Sequence, residues 1–256
     1  MSRGRGSYNW FQTGFPMVHD NTNSESLVPM FPIVFYDDFL GADVLFPATG
    51  TAECGAKWGQ VIVGAAPPVV AKVADGINGI ASLALTNAAQ EQIAVLSWGD
   101  QEFLSLNQGL IFEARVAISV LPTQAVGGTT EIVFGLAGAH NADLDTVDCN
   151  AWFRIQHTAN TALLWETDDN VTNDDDNATG IVLVASVYHI YRIDASNIAA
   201  VKFYVDGVLV GTGNMDGLVT PIWCVQPYFN VSKTNAGNTG VGTMLVDYVK
   251  VFQDRS

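Results

Sequence analysis

The sequence is short of positive charge. Eleven Lys and Arg face 26 Asp and Glu, a formal charge of −15, so the surface repels phosphate backbones and anionic lipid. Neither nucleic acid nor a membrane is an expected partner. Cysteine is scarce as well: Cys54, Cys149 and Cys224 are odd in number, far apart and without CxxC spacing, which argues against a disulfide framework or a zinc site. No apolar run approaches the ~20 residues that cross a bilayer as a helix. The start, MSRGRGSYNWFQTG, lacks the apolar core of a signal peptide. Synthesis in a cytoplasm, without export through a signal peptide, is the expectation, and the N-x-S/T sequons at Asn170, Asn177 and Asn230 then read as chance matches.

Helical periodicity is nearly missing. The one Ala-rich stretch, Asn87 to Gln92, is too short to hold as a helix alone, and strands do not alternate with helices as a βαβ fold requires. Catalytic signatures are missing too. His19, His140, His157 and His189 share no metal-ligand spacing, and no Ser lies in a GxSxG elbow. Gly127-Gly128 lacks the lysine and the strand-to-helix setting of a phosphate loop and reads as a turn.

What is present is a folded, strand-rich chain. Of 256 residues, 48% are hydrophobic and only 14% charged, a balance that supports a large buried core. From Ile33 onward, short runs of Val, Ile, Leu and aromatics alternate with Gly, Asn, Asp, Thr and Pro clusters. Phe112, Ala114, Val116 and Ile118 alternate with Glu113, Arg115 and Ala117, the period of a half-buried strand. Val201 to Val205 and Val208 to Val210 flank Asp206-Gly207, a pair suited to a type I′ hairpin turn. Further strands are expected at 33–39, 59–63, 69–74, 80–86, 91–97, 130–137, 151–157, 161–167, 180–194, 223–231 and 243–252. Residues 138–150 and 168–179 are expected as long rim loops. The fold class that follows is all-β, an antiparallel two-sheet β-sandwich with an extended N-terminal arm: arm and linker at 1–32, sandwich at 33–256.

In the arm, Tyr8, Trp10, Phe11 and Phe15 precede a polar connector from Asp20 to Ser26. Aromatics at that density are costly to leave in water, so they dock either on a partner or on their own sandwich. Arg3 and Arg5 make the tip basic. Trp58, Trp98, Trp152, Trp165 and Trp223 fall in strand runs and are expected in the core rather than on a sugar-stacking surface.

The run Val201-Lys202-Phe203-Tyr204-Val205-Asp206-Gly207-Val208-Leu209-Val210 resembles the late hairpin of concanavalin A-like lectin/glucanase (laminin-G-like) jelly rolls. Met244 to Phe252 resembles their closing strand, and Phe35-Tyr36-Asp37-Asp38-Phe39 their opening strand. That resemblance implies a jelly roll but not a function, since lectins, glycosidases, adhesion modules and viral coat proteins share it. Retaining glucanases of this fold carry Glu-x-Asp-x-x-Glu on one strand. Glu166-Thr167-Asp168 supplies its first half, but Val171, or Thr172 in a longer variant, stands where the second glutamate is needed. No catalytic residue is therefore expected.

Two acidic loops remain. One holds Asp143, Asp145 and Asp148. In the other, Asp168, Asn170, Asp174 and Asp176 are calcium candidates, although that loop lacks the Gly and Glu of an EF-hand and a plain solvated loop is the alternative. No other cofactor is expected. The layout, a sandwich behind an arm, resembles phage capsid decoration and other virion-surface proteins. It implies a non-enzymatic virion structural protein, held on a major capsid or other virion protein by Arg3, Arg5, Tyr8, Trp10, Phe11 and Phe15. It also implies a homo-oligomer, with a trimer favoured. The alternatives are a glycan-binding lectin-like module of phage attachment or adhesion, with its sugar site near an acidic loop, and, third, a glycoside hydrolase with an unrecognised carboxylate pair.

Overall fold

The structure is a computed structural model and describes residues 9–12, 15–18, 32–41, 46–47, 57–106, 108–123, 127–217 and 224–254. Two short strands, β1 (Asn9–Gln12) and β2 (Phe15–Val18), pair as a hairpin. The sandwich strands follow as β3 (Ile33–Asp37), β4 (Gly59–Val63), β5 (Val69–Lys72), β6 (Ala81–Ala84), β7 (Gln92–Ser97) and β8 (Leu104–Ser105). Next come β9 (Leu110–Val120), β10 (Thr130–Ala137), β11 (Asn150–Gln156), β12 (Ala162–Asp168), β13 (Asn173–Val182) and β14 (Tyr188–Ala195). The chain ends with β15 (Val201–Val205), β16 (Val208–Gly213), β17 (Cys224–Lys233) and β18 (Thr243–Gln253).

These strands form two antiparallel sheets. The front sheet runs β13-β12-β11-β10-β17-β7-β4, with β8 also on β17; the back sheet runs β16-β15-β14-β9-β18-β6-β5, with β3 also on β18. The expected two-sheet sandwich is therefore observed.

Period-two patterning explains the back sheet. Phe112, Ala114 and Val116 of β9 turn inward while Ile111, Glu113 and Arg115 stay partly exposed. The β15–β16 turn forms as the sequence predicts: Asp206 and Gly207 take φ of 49° and 81°, and Val205 pairs with Val208 across them. The front sheet reads differently because β7 and β10 are buried on both faces. Ile132, Phe134 and Leu136 of β10 enter the core between the sheets, whereas Val133 and Ala137 join a second cluster on the outer face.

Two expectations need correction. The stretch 180–194 is not one strand: β13 ends at Val182 and β14 starts at Tyr188, with Ser186 at φ 65° in the turn between them. Residues 168–179 are not a rim loop. They form a tight turn and most of β13, an edge strand paired to β12.

Aromatic packing concentrates the core. Phe134 is wholly buried, lies 5.6 Å from Phe153 and meets Tyr191 edge-on at 4.7 Å. Trp58 and Trp165 lie in this core as predicted, and Trp98 packs against it. Trp152 is buried too, but in the outer cluster, and Trp223 lies outside the described residues. A Phe134→Ala variant should lose about 3–5 kcal/mol of unfolding free energy by urea titration, while Val171→Ala, on an exposed turn, should stay within about 0.5 kcal/mol. A Phe134→Ala loss below about 1 kcal/mol would contradict this core assignment.

Candidate functional site

The outer face of the front sheet carries chemistry that alternation places there. On β11, Ala151, Phe153 and Ile155 face the core, so Asn150, Trp152 and Arg154 face out. The same parity turns Glu131 out on β10, Glu166 on β12, and Gln226, Tyr228 and Asn230 on β17. The strand order β12-β11-β10 and its register then set Glu166 and Glu131 diagonally across from Arg154, on its two sides.

Much of this face is covered. The segment 138–149 leaves β10 and returns to β11, closed at its base by the Gly138 N–H donating to the Cys149 carbonyl at 2.8 Å. It forms a strap across the sheet. Asp143 caps a short 3-10 turn, Leu144–Thr146, by accepting from the Asp145 N–H. Leu144 and Val147 are buried with Ile93, Val95, Trp152 and Tyr228 beneath them. Tyr228 Oη lies 2.7 Å from His140 Nδ1 on the strap, within hydrogen-bond distance, and accepts from Asn230 Nδ2 at 3.1 Å. Burial lowers the His140 pKa, which suits a neutral ring whose Nδ1 accepts a hydrogen bond from the Tyr228 hydroxyl.

Arg154 organises the uncovered end. Its Nη2 and Nε donate to Glu131 Oε2 at 2.7 and 3.0 Å, and its Nη1 donates to Glu166 Oε2 at 3.0 Å and to Asp145 Oδ1 on the strap at 2.9 Å. Asp176 lies a further 3.9 Å from Nη1. Burial works against the guanidinium charge, but Glu131, Glu166 and Asp145 outweigh it and hold the pKa above its ordinary value. Glu166 differs. It is 1% exposed, and burial pushes its carboxyl up to about 7 against the pull of Arg154 and Trp152. A carboxyl with that pKa exchanges a proton near neutrality.

Beside this cluster a cavity of about 260 Å3 opens to solvent. Thr129, Thr130, His157 and Thr158 form one side; Glu131, Asp145 and Arg154 form another; Asp175 and Asp176 close it. Consecutive residues of a regular strand point to opposite faces. Here Asp176 takes φ 51° and the β12–β13 register shifts between Trp165 and Thr167, a bulge that brings Asp175 and Asp176 to the same cavity. Gln156 Nε2 fixes Asp176 by donating to its two oxygens at 2.9 and 3.1 Å. Mutual repulsion adds to burial in raising the Asp175 pKa, with Asp145 and Asp176 as the neighbours.

The calcium candidates are not brought together. Asp168 accepts from the Asn170 N–H at 2.7 Å within the turn, Asp174 accepts from the Asn214 N–H at 3.2 Å, and Asp176 turns to Gln156. Among the described residues no group of three or more His, Cys, Asp or Glu is placed to hold a metal ion. The cation in this acidic corner is Arg154. Of the arm residues, Arg3, Arg5 and Tyr8 lie outside the described residues, and Trp10, Phe11 and Phe15 fall on the β1–β2 hairpin. Sequence reading did not find Glu131 or Arg154. The available signal was a single charged residue inside each of two apolar runs, TEIVFGLA and NAWFRIQ.

No family model matches the chain, and no curated protein matches it. Solved structures do. An endo-acting O-glycanase from the human gut microbiota, described as initiating mucin breakdown, superposes with TM-score 0.55 at 16% identity, covering 86% of this chain and 98% of that one. A glycoside hydrolase family protein from Mycobacterium thermorestibile gives 0.51 at 18% identity, with 85% and 99% covered. A protein of unknown function from Shewanella oneidensis gives 0.54 at 10% identity, with 87% of each chain covered. The fold is a concanavalin A-like jelly roll. This corrects one expectation, that of a non-enzymatic protein: the solved structures that superpose on this sandwich include glycan-cleaving enzymes. The virus-particle reading finds no support among these jelly-roll neighbours.

The raised Glu166 pKa has a stability consequence. The folded chain keeps a proton that an unfolded glutamate, with its ordinary value of 4.5, has already released. The associated stability is present below about 4.5 and is lost as pH rises through about 7. Glu166→Gln should therefore gain in urea midpoint relative to the parent between pH 4.5 and 7.5. A difference that does not change with pH would contradict the raised pKa.

Proposed function

We propose that this jelly roll is a carbohydrate-active module that takes a neutral glycan into the cavity beside Arg154. One observation carries the reading: hydroxyls, carboxylates and a guanidinium converge on an open cavity beside the part of the sheet face that the strap covers. Sugar hydroxyls both donate and accept, and Thr129, Gln156, Asp175 and Asp176 offer the matching partners. Charge narrows the ligand class. Arg154 is already bonded to Glu131, Glu166 and Asp145, so the cavity is left net negative and disfavours uronic or sulfated chains. The names of the glycanase and hydrolase neighbours support a carbohydrate ligand.

A second reading is cleavage of the bound glycan, and the raised pKa of Glu166 favours it. As general acid Glu166 would hand its proton to the glycosidic oxygen, with a second carboxylate of the cluster opposite. Glu166 is 1% exposed, so that role requires the strap to lift, which starts with release of Asp145 from Arg154.

Calorimetric titration with neutral gluco-, manno-, galacto- and N-acetylglucosamine oligosaccharides, alongside uronic and sulfated ones, tests both readings. Binding of a neutral oligosaccharide is expected, weakened at least tenfold in Asp175→Ala with Asp176→Ala. Preference for an anionic chain, or affinity indifferent to those substitutions, would overturn the assignment. New reducing ends, lost in Glu166→Gln, would establish the cleavage reading.

A further inference from the structure

The opposite side of the sandwich carries a second cavity of different character. On the outer face of the back sheet, Val34 and Tyr36 of β3, Ile111 of β9 and Phe252 of β18 line an apolar hollow of about 320 Å3. Val34 is 43% exposed, Tyr36 50% and Phe252 37%, so water meets a cluster of large apolar groups. Lys250 and Glu113, paired at 3.1 Å, bound it on one side. β3 pairs with β18 along one edge, and among the described residues no strand pairs with its other edge. Contiguous apolar surface beside an open strand edge is a docking site in need of an occupant.

We infer that the occupant is the chain's own N-terminal segment, with the β1–β2 hairpin and its aromatics closing over this hollow. Where the segment joins the sandwich is the first argument. β3 begins at Ile33 and forms the wall of the hollow, so whatever precedes it in the sequence is tethered at that wall. The connector 19–31 spans up to about 45 Å when extended, ample for the hairpin to fold back.

Composition is the second argument. Tyr8, Trp10, Phe11 and Phe15 are the apolar counterpart that the hollow lacks, and Arg3 and Arg5 bring positive charge to a molecule of formal charge −15. The third is the hairpin itself. Trp10 pairs with Met17 and Gln12 with Phe15, yet a two-stranded hairpin alone in water is marginal at best and gains stability only by packing on something. A short tether supplies an effective concentration on the order of millimolar, so closure on the same molecule outcompetes docking on a second copy.

Chymotrypsin cleaves after Tyr, Trp and Phe, and therefore reports on residues 8–15 directly. In the full chain at low micromolar concentration, cleavage there should be at least tenfold slower than in a Val34→Asp, Phe252→Asp variant, and protection should persist on dilution. Equal cleavage of parent and variant overturns the inference. So does protection that vanishes on dilution, because it places the segment on another molecule. Should the acidic variant fail to fold, Trp10→Ser with Phe11→Ser leaves the sandwich unaltered. Amide exchange at 33–37 and 249–253 should then quicken at least fivefold, and unchanged exchange overturns the inference.

Discussion

The front sheet has no solvent face to spare along its middle strands. β7 and β10 are buried on both sides, so something must cover the outer side, and the strap 138–149 does so with Leu144 and Val147. That cover ends where polarity begins. Arg154 sits at the boundary, its fork satisfied by Glu131 and Glu166 below and by Asp145 of the strap above. Removing the guanidinium would leave buried carboxylates unpaired, at a cost of about 3–5 kcal/mol. Remaining polarity collects in the cavity beside the cluster, where Asp175 and Asp176 are joined by the β13 bulge.

This arrangement ties stability to the proposed glycan site at one side chain. Arg154 compensates carboxylates that the fold buries, and the same carboxylates give the cavity its negative character. It is also the contact that anchors the strap end nearest the cavity. Burial, strap position and the proposed ligand preference all run through this one Arg154-centred cluster, and the back-sheet hollow, on the far face of the sandwich, lies outside it.

How much of this was legible in the sequence depended on local chemistry. The β15–β16 hairpin was legible because Asp206-Gly207 fixes turn type and register within ten residues. β4 and β10 were legible because apolar runs bounded by turn residues leave few alternatives. The break between β13 and β14 was not, because Leu183 to Val187 carries no Gly or Pro to mark it. β13 was hidden for the opposite reason. Its start, Asn173-Asp174-Asp175-Asp176-Asn177, has poor strand propensity and is accommodated only at a sheet edge. The site was the least legible part. Glu131, Arg154 and Glu166 become neighbours through the strand order β10-β11-β12 and its register, which no local pattern encodes.

The most direct test of the carbohydrate account is hydrogen exchange across the whole chain with and without a saturating neutral oligosaccharide. The account predicts slowed exchange confined to 129–131, 154–158, 174–177 and the strap 138–149, with the back sheet unchanged. Slowing over β3 and β18 instead, or no change anywhere at saturation, would contradict it.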